Sequence, residues 1–205
     1  MPVVAAIVAT LGDLLMLAVA NGGREQLGLP RLGAGVLWVG TALGVVAIPC
    51  YAAGYRMAAR RAAPGCAGAA ALVERLGFGV AAVGTLIHGL TGWHVRAGLG
   101  AGVPDRNPLA AVADAPVLVA LWAVGTLLVL GASAAFALGV TRTRARRLAW
   151  LTPALVTVVL ALSGPLSPWL AAFLVPAAPN LAHVVFFAAC AASARTRRSA
   201  GGDER

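Results

Sequence analysis

Leu11-Gly12-Asp13-Leu14-Leu15 sits inside an apolar run over residues 3–20, and Asp13 is the only formal charge in that run. An ionisable side chain in a stretch of this kind is expensive and marks a functional site by default. Five further apolar runs follow, over residues 33–57, 76–95, 115–140, 148–162 and 169–193. The reading of Asp13 depends on what those runs place around it.

The composition says where such a chain resides. It has 205 residues, 60% hydrophobic and 11% charged, with a mean hydropathy of +0.86. Soluble domains carry about 25% charged residues, so this chain cannot cover a water-facing surface. Apolar stretches of roughly 18 residues or more read as membrane helices. The expected fold is all-α: a polytopic membrane helix bundle with six transmembrane helices, one domain over residues 1–194. Residues 195–205 form a polar tail expected to be disordered and cytoplasmic. The run over 148–162 is short for a span, so its ends must extend into flanking residues or it must sit in a thin place. Ala18-Val19-Ala20 looks like a signal-peptide cleavage site. No positive residue precedes the first run, however, and Asp13 interrupts it, so a retained helix is expected.

The net charge of +9 is carried by arginine alone. The arginines lie between apolar runs, without any nucleic-acid-binding motif, so they read as topology determinants facing anionic lipid. No nucleic acid partner is expected. With the N-terminus inside, six spans place Arg56, Arg60, Arg61, Arg75, Arg142, Arg144, Arg146, Arg147, Arg195, Arg197, Arg198 and Arg205 in the cytoplasm. Arg24, Arg31, Arg96 and Arg106 remain outside. That asymmetry predicts an N-in/C-in protein of the cell's inner (plasma) membrane.

Depth within the spans follows from a rise of ~1.5 Å per residue. Asp13 falls near the middle of the first run. His88 lies roughly 3 Å to the outer side of the middle of the third. In the sixth, Asn180 is near the middle and His183 one turn further in. Asn180 and His183, three apart, share a helix face. The stripe Gly84, His88, Gly92 leaves space above and below the His88 ring. Asp13, His88, Asn180 and His183 therefore occupy one slab.

A carboxyl withdrawn from water favours its protonated form. Histidine accepts or relays a proton, and asparagine orients either group. Asp13 as acid and His88 as base suffice for proton chemistry without a cofactor. Asn180, His183, Trp38, Trp122 and Trp93 complete the candidate site as substrate-binding residues. Trp38 and Trp122 lie deep enough to line a cavity, and Trp93, with Trp150 and Trp169, sits at a span end, as interfacial belts do. No metal-ligand spacing is present. The deep pair His88 and His183 differs by ~8 Å in depth, which disfavours a bis-histidine haem, so no cofactor is expected. Cys50, Cys66 and Cys190 read as free thiols.

Gly40 and Gly44 form a G-x-x-x-G stripe that lets another helix approach closely, within the chain or in a homo-oligomer. Pro176 and Pro179 interrupt the sixth run and each removes a backbone hydrogen bond. No internal repeat is visible, which counts against a repeat-built transporter.

The best-supported activity is proton-initiated isomerisation or cyclisation of an isoprenoid or other lipid-like substrate, with membrane lipids as the surroundings. Small integral-membrane terpene cyclases offer an analogy of architecture. A proton-coupled carrier and a structural membrane subunit are the alternatives. In the last case the polar residues only hold helices together, each interhelical hydrogen bond contributing on the order of 1 kcal/mol.

Gly12-Asp13-Leu14-Leu15, Trp38 with Gly40 and Gly44, Tyr51 with Gly54, His88, Pro153, Pro165, and Asn180 followed by Phe186-Phe187 resemble an uncharacterised family of small bacterial six-helix membrane proteins. The resemblance spans most of the chain. It implies the fold and a membrane location and supplies no activity.

Overall fold

A computed structural model describes residues 1–16, 34–100 and 113–200. Among them the chain is helical, with no strand: α1 (Pro2–Asp13), α2 (Ala34–Ala47), α3 (Tyr51–Ala62), α4 (Ala67–Gly100), α5 (Pro116–Val140), α6 (Pro153–Ala161) and α7 (Pro168–Ala200). Short 3-10 turns join or flank several of them. Residues 17–33, with the cleavage-like Ala18-Val19-Ala20, and residues 101–112 lie outside the described residues.

Proline sets the helix starts. Pro2, Pro116, Pro153 and Pro168 each stand at the first position of a helix. There the missing N–H is one the helix leaves unpaired anyway, and the fixed φ is already helical. The residue before a proline is pushed to extended backbone; Thr152 (ψ 148°) and Ser167 (ψ 137°) obey. Pro49 acts in mid-run. It breaks the second segment at a 3-10 turn, Ile48–Cys50, so that α2 and α3 together cover Gly35–Ala62.

Four helical stretches are long and apolar enough to cross a membrane: Gly35–Ala62, Ala67–Ala97, Pro116–Val140 and Phe173–Ala194. These mark a membrane protein. Two further apolar helices are shorter, Pro2–Met16 and Pro153–Leu166. The run over 148–162 is not one helix. A 3-10 segment, Arg146–Leu151, carries the chain back alongside α5, and Pro153 then starts α6 beside Ser133, whose Oγ accepts from the Ala154 N–H at 3.2 Å.

Two boundaries differ from the sequence reading. The stretch 56–75, between the second and third apolar runs, is helical on both sides of a turn at residues 63–66. Its alanines and arginines are good helix formers, and Pro64-Gly65 supply the turn. An exposed Arg56–Glu74 ion pair at 2.7 Å bridges α3 and α4 there. The tail expected to be disordered from residue 195 continues α7 to Ala200. Arginines suit a helix C-terminus, where the dipole is negative.

The core is built on small residues that let helices close up around five large ones, Tyr51, Tyr55, Phe136, Phe186 and Phe187. Phe136 and Phe186 meet edge to face, with centroids 4.9 Å apart. Such contacts add to the area that each ring buries.

Candidate functional site

Three glycines place the first part of the site. Gly12 on α1 and Gly40 on α2 touch so closely that a methyl on either would press on the other's carbonyl oxygen. A methyl on Gly44 would overlap the ring of His88 on α4. The stripe Gly40/Gly44 therefore receives α1 and His88 of the same chain. Both glycines are buried by these contacts within the chain.

The close approach fixes the hydrogen bonds. His88 Nε2 lies 3.1 Å from the carbonyl oxygen of Gly40. A carbonyl only accepts, so Nε2 carries the hydrogen. His88 Nδ1 then faces Asp13 Oδ1 at 3.4 Å. With one proton shared by these two atoms, the pair is acid and imidazole when it sits on Oδ1, and carboxylate and imidazolium when it sits on Nδ1. Both forms are neutral overall, which suits a buried position. The separation is longer than the ~2.8 Å of a closed charge-assisted hydrogen bond, so Oδ1 is held near His88 without being fully saturated by it.

The other carboxyl oxygen has a short hydrogen bond. Asn180 on α7 donates from Nδ2 to Asp13 Oδ2 at 2.6 Å, and Tyr51 on α3 donates to Asn180 Oδ1 at 2.6 Å. A second chain runs beside the first. Tyr55 Oη lies 2.8 Å from His183 Nε2, and His183 Nδ1 lies 2.7 Å from the Pro179 carbonyl oxygen. By the same logic Nδ1 of His183 donates and, in the neutral ring, Nε2 accepts from Tyr55. The Tyr51 and His183 rings stack at 4.7 Å and join the two chains.

A cavity of about 240 Å³ opens against this network. Asp13, Tyr51, His88, Asn180 and His183 contribute to one part of its lining, and most of the remaining lining side chains are apolar. It lies between α4 and α5 on one side and α6 and α7 on the other. Leu130 and Val158 line it and are also 49% and 52% exposed, so the cavity reaches the apolar outer surface between α5 and α6.

Of the residues named from sequence, Asp13, His88 and Asn180 meet directly, His183 joins through the tyrosines, and Trp122 lines the cavity. Trp38 and Trp93 do not. They are 49% and 61% exposed and point outward. The reason is helical phase. Trp38 is two residues, about 200°, from the inward-facing Gly40, and Trp93 is equally far from the cavity-lining Thr91. Tyr51 and Tyr55 are the residues sequence reasoning missed. Their signal was available: two phenols one turn apart in an apolar run need partners if buried.

Searches of protein-family models, curated proteins and solved structures found no match to this chain.

Proposed function

We propose that this is a multi-pass enzyme of the cell's inner membrane, with six spans and both termini in the cytoplasm, that performs cofactor-independent proton chemistry on an apolar, membrane-dissolved substrate of isoprenoid or similar lipid-like type. The observation that carries the reading is the Asp13–His88 pair, with Oδ1 and Nδ1 3.4 Å apart on the wall of a mostly apolar cavity.

Asp13 gives its proton to one carbon of a double bond, and the neighbouring carbon becomes cationic. Loss of a proton from the adjacent carbon to the Asp13–His88 pair leaves an isomer with the double bond moved. If a second double bond of the same molecule attacks the cation first, a ring closes before that proton returns. Neither route changes the oxidation level, so no redox partner is needed. Asn180 and Tyr51 keep Oδ2 occupied, which directs the reactive proton to Oδ1. The opening at Leu130 and Val158 supports lateral access from the bilayer. Six spans are supported by the arginine asymmetry, with Pro2–Met16 and Pro153–Leu166 as the shorter members. The resemblance to small six-helix bacterial membrane proteins agrees with this topology.

The test is to purify the protein with its native lipids, identify the apolar compounds that co-purify, and incubate them in deuterated water with wild type and Asp13→Asn. Deuterium built into a rearranged product by wild type alone supports the enzyme. A compound returned unchanged, together with proton flux into proteoliposomes that needs Asp13, would point to the carrier. That second reading has Pro176 and Pro179 in its favour. Both line the cavity and interrupt the backbone hydrogen bonding of α7, as transport helices often do.

A further inference from the structure

The cavity also contains two polar atoms that the protein leaves unanswered. Among the described residues, Thr91 Oγ1 and Trp122 Nε1 are buried without a hydrogen-bond partner, and both residues line the cavity. Thr91 is only 2% exposed.

Thr91 differs from the other buried helical threonine, Thr41, although the less buried Thr126 and Thr157 of the same cavity likewise return no hydroxyl bond to their own backbone. A threonine inside a helix normally returns its hydroxyl to the carbonyl one turn back. Thr10 does so to Ala6 at 2.8 Å, Thr41 to Leu37 at 2.8 Å and Thr85 to Ala81 at 2.7 Å. Thr91 makes no such bond to Ile87. An indole N–H can only donate, and a hydroxyl can donate as well as accept. Two groups able to donate, one on α4 and one on α5, thus belong to residues that line one cavity and have no partner in the protein. A buried donor left unpaired costs about 1–3 kcal/mol, so such a pair is the signature of a site completed by its ligand.

We infer that Thr91 and Trp122 form a binding site for one acceptor oxygen, and that the ligand is an apolar molecule carrying a carbonyl or cyclic-ether oxygen. The inference rests on the proposed function and narrows its substrate class from hydrocarbon to oxygenated isoprenoid or lipid. His88 and Thr91 are three apart on α4 and share a face, about 4.5 Å apart along the axis. The bound oxygen therefore lies one turn from the Asp13–His88 proton, and the carbon skeleton beside that oxygen lies against the pair. The cavity of about 240 Å³ holds the oxygen-bearing end of such a ligand. A longer tail leaves through the opening at Leu130 and Val158.

Purified protein in detergent is titrated with 2-decanone and, separately, with n-decane at matched mole fraction in the micelle. Apparent affinity is read from the ligand-dependent rise in the unfolding midpoint. The ketone is expected to bind wild type about tenfold more tightly than the alkane. Thr91→Val and Trp122→Phe each remove most of that preference, and Thr91→Ser, which keeps the hydroxyl, retains it. Equal binding of ketone and alkane to wild type, or a ketone preference that survives both substitutions, overturns the inference. The readout involves no turnover, so it separates from the proton chemistry. Asp13→Asn abolishes reaction if the proposed function holds, while the ketone preference is judged on Thr91 and Trp122 alone.

Discussion

His88 reaches Asp13 with Nδ1 at 3.4 Å only because its other nitrogen is tied to the Gly40 carbonyl at 3.1 Å. The ring has one free valence for a proton, and that valence points at the carboxyl.

Asp13→Asn and Asp13→Ala should therefore separate chemistry from structure. An asparagine at 13 donates to His88 and accepts from Asn180, so the unfolding midpoint stays close to wild type. It has no acidic proton, so turnover is lost. Alanine leaves the Asn180 amide and the His88 nitrogen unpaired and costs about 1–3 kcal/mol. Thermal unfolding in detergent with a parallel product assay checks both. Turnover surviving in the asparagine variant removes Asp13 from the acid role.

Gly44 is the floor beneath the His88 ring. Gly44→Ala forces the ring aside and is expected to destabilise by about 1–3 kcal/mol. Gly35 on the same helix faces open space. Gly35→Ala should stabilise by about 0.5–1 kcal/mol, the ordinary helical gain. Opposite signs for two identical substitutions on one helix are the expected result. A loss of similar size at both positions would mean that α2 is simply intolerant of alanine.

The Tyr55–His183 bond gives a third measurement. Tyr55→Phe strands the His183 Nε2 acceptor, and His183→Leu strands the Tyr55 hydroxyl. The double variant strands neither, so a double-mutant cycle should give a coupling of about 1 kcal/mol. Zero coupling would show that the two groups do not depend on each other.

Cys66 reports the orientation. It is exposed in the turn between α3 and α4, on the arginine-rich side. In a Cys50→Ala background a membrane-impermeant maleimide should label Cys66 in inverted vesicles and not in intact cells. The reverse pattern would place the N-terminus outside.

Much of the site was legible because it is made of rare residues. Few strongly polar side chains occur in the apolar runs, and a depth scale alone brings Asp13, His88 and Asn180 together. What depth cannot supply is phase. A helix apolar on every side carries no stripe to say which face turns inward, which is why Trp38 was expected in the cavity and stands outside it. The four long spans follow from hydropathy, whereas the division of residues 148–162 depends on Pro153 and on Ser133 receiving the start of α6. Thr91 carries no mark in the sequence that separates it from Thr41, which bonds its own backbone.

The overlap that a methyl at Gly44 would have with the His88 ring also bears on descent. Positions 44 and 88 share one volume, so neither side chain can drift alone. A lineage that enlarges residue 44 must first surrender the imidazole, and one that loses the imidazole is released to fill the hollow at 44. Among descendants of a common ancestor, these two sites, more than forty residues apart in the chain, should change together, and the order of change should always open space before filling it.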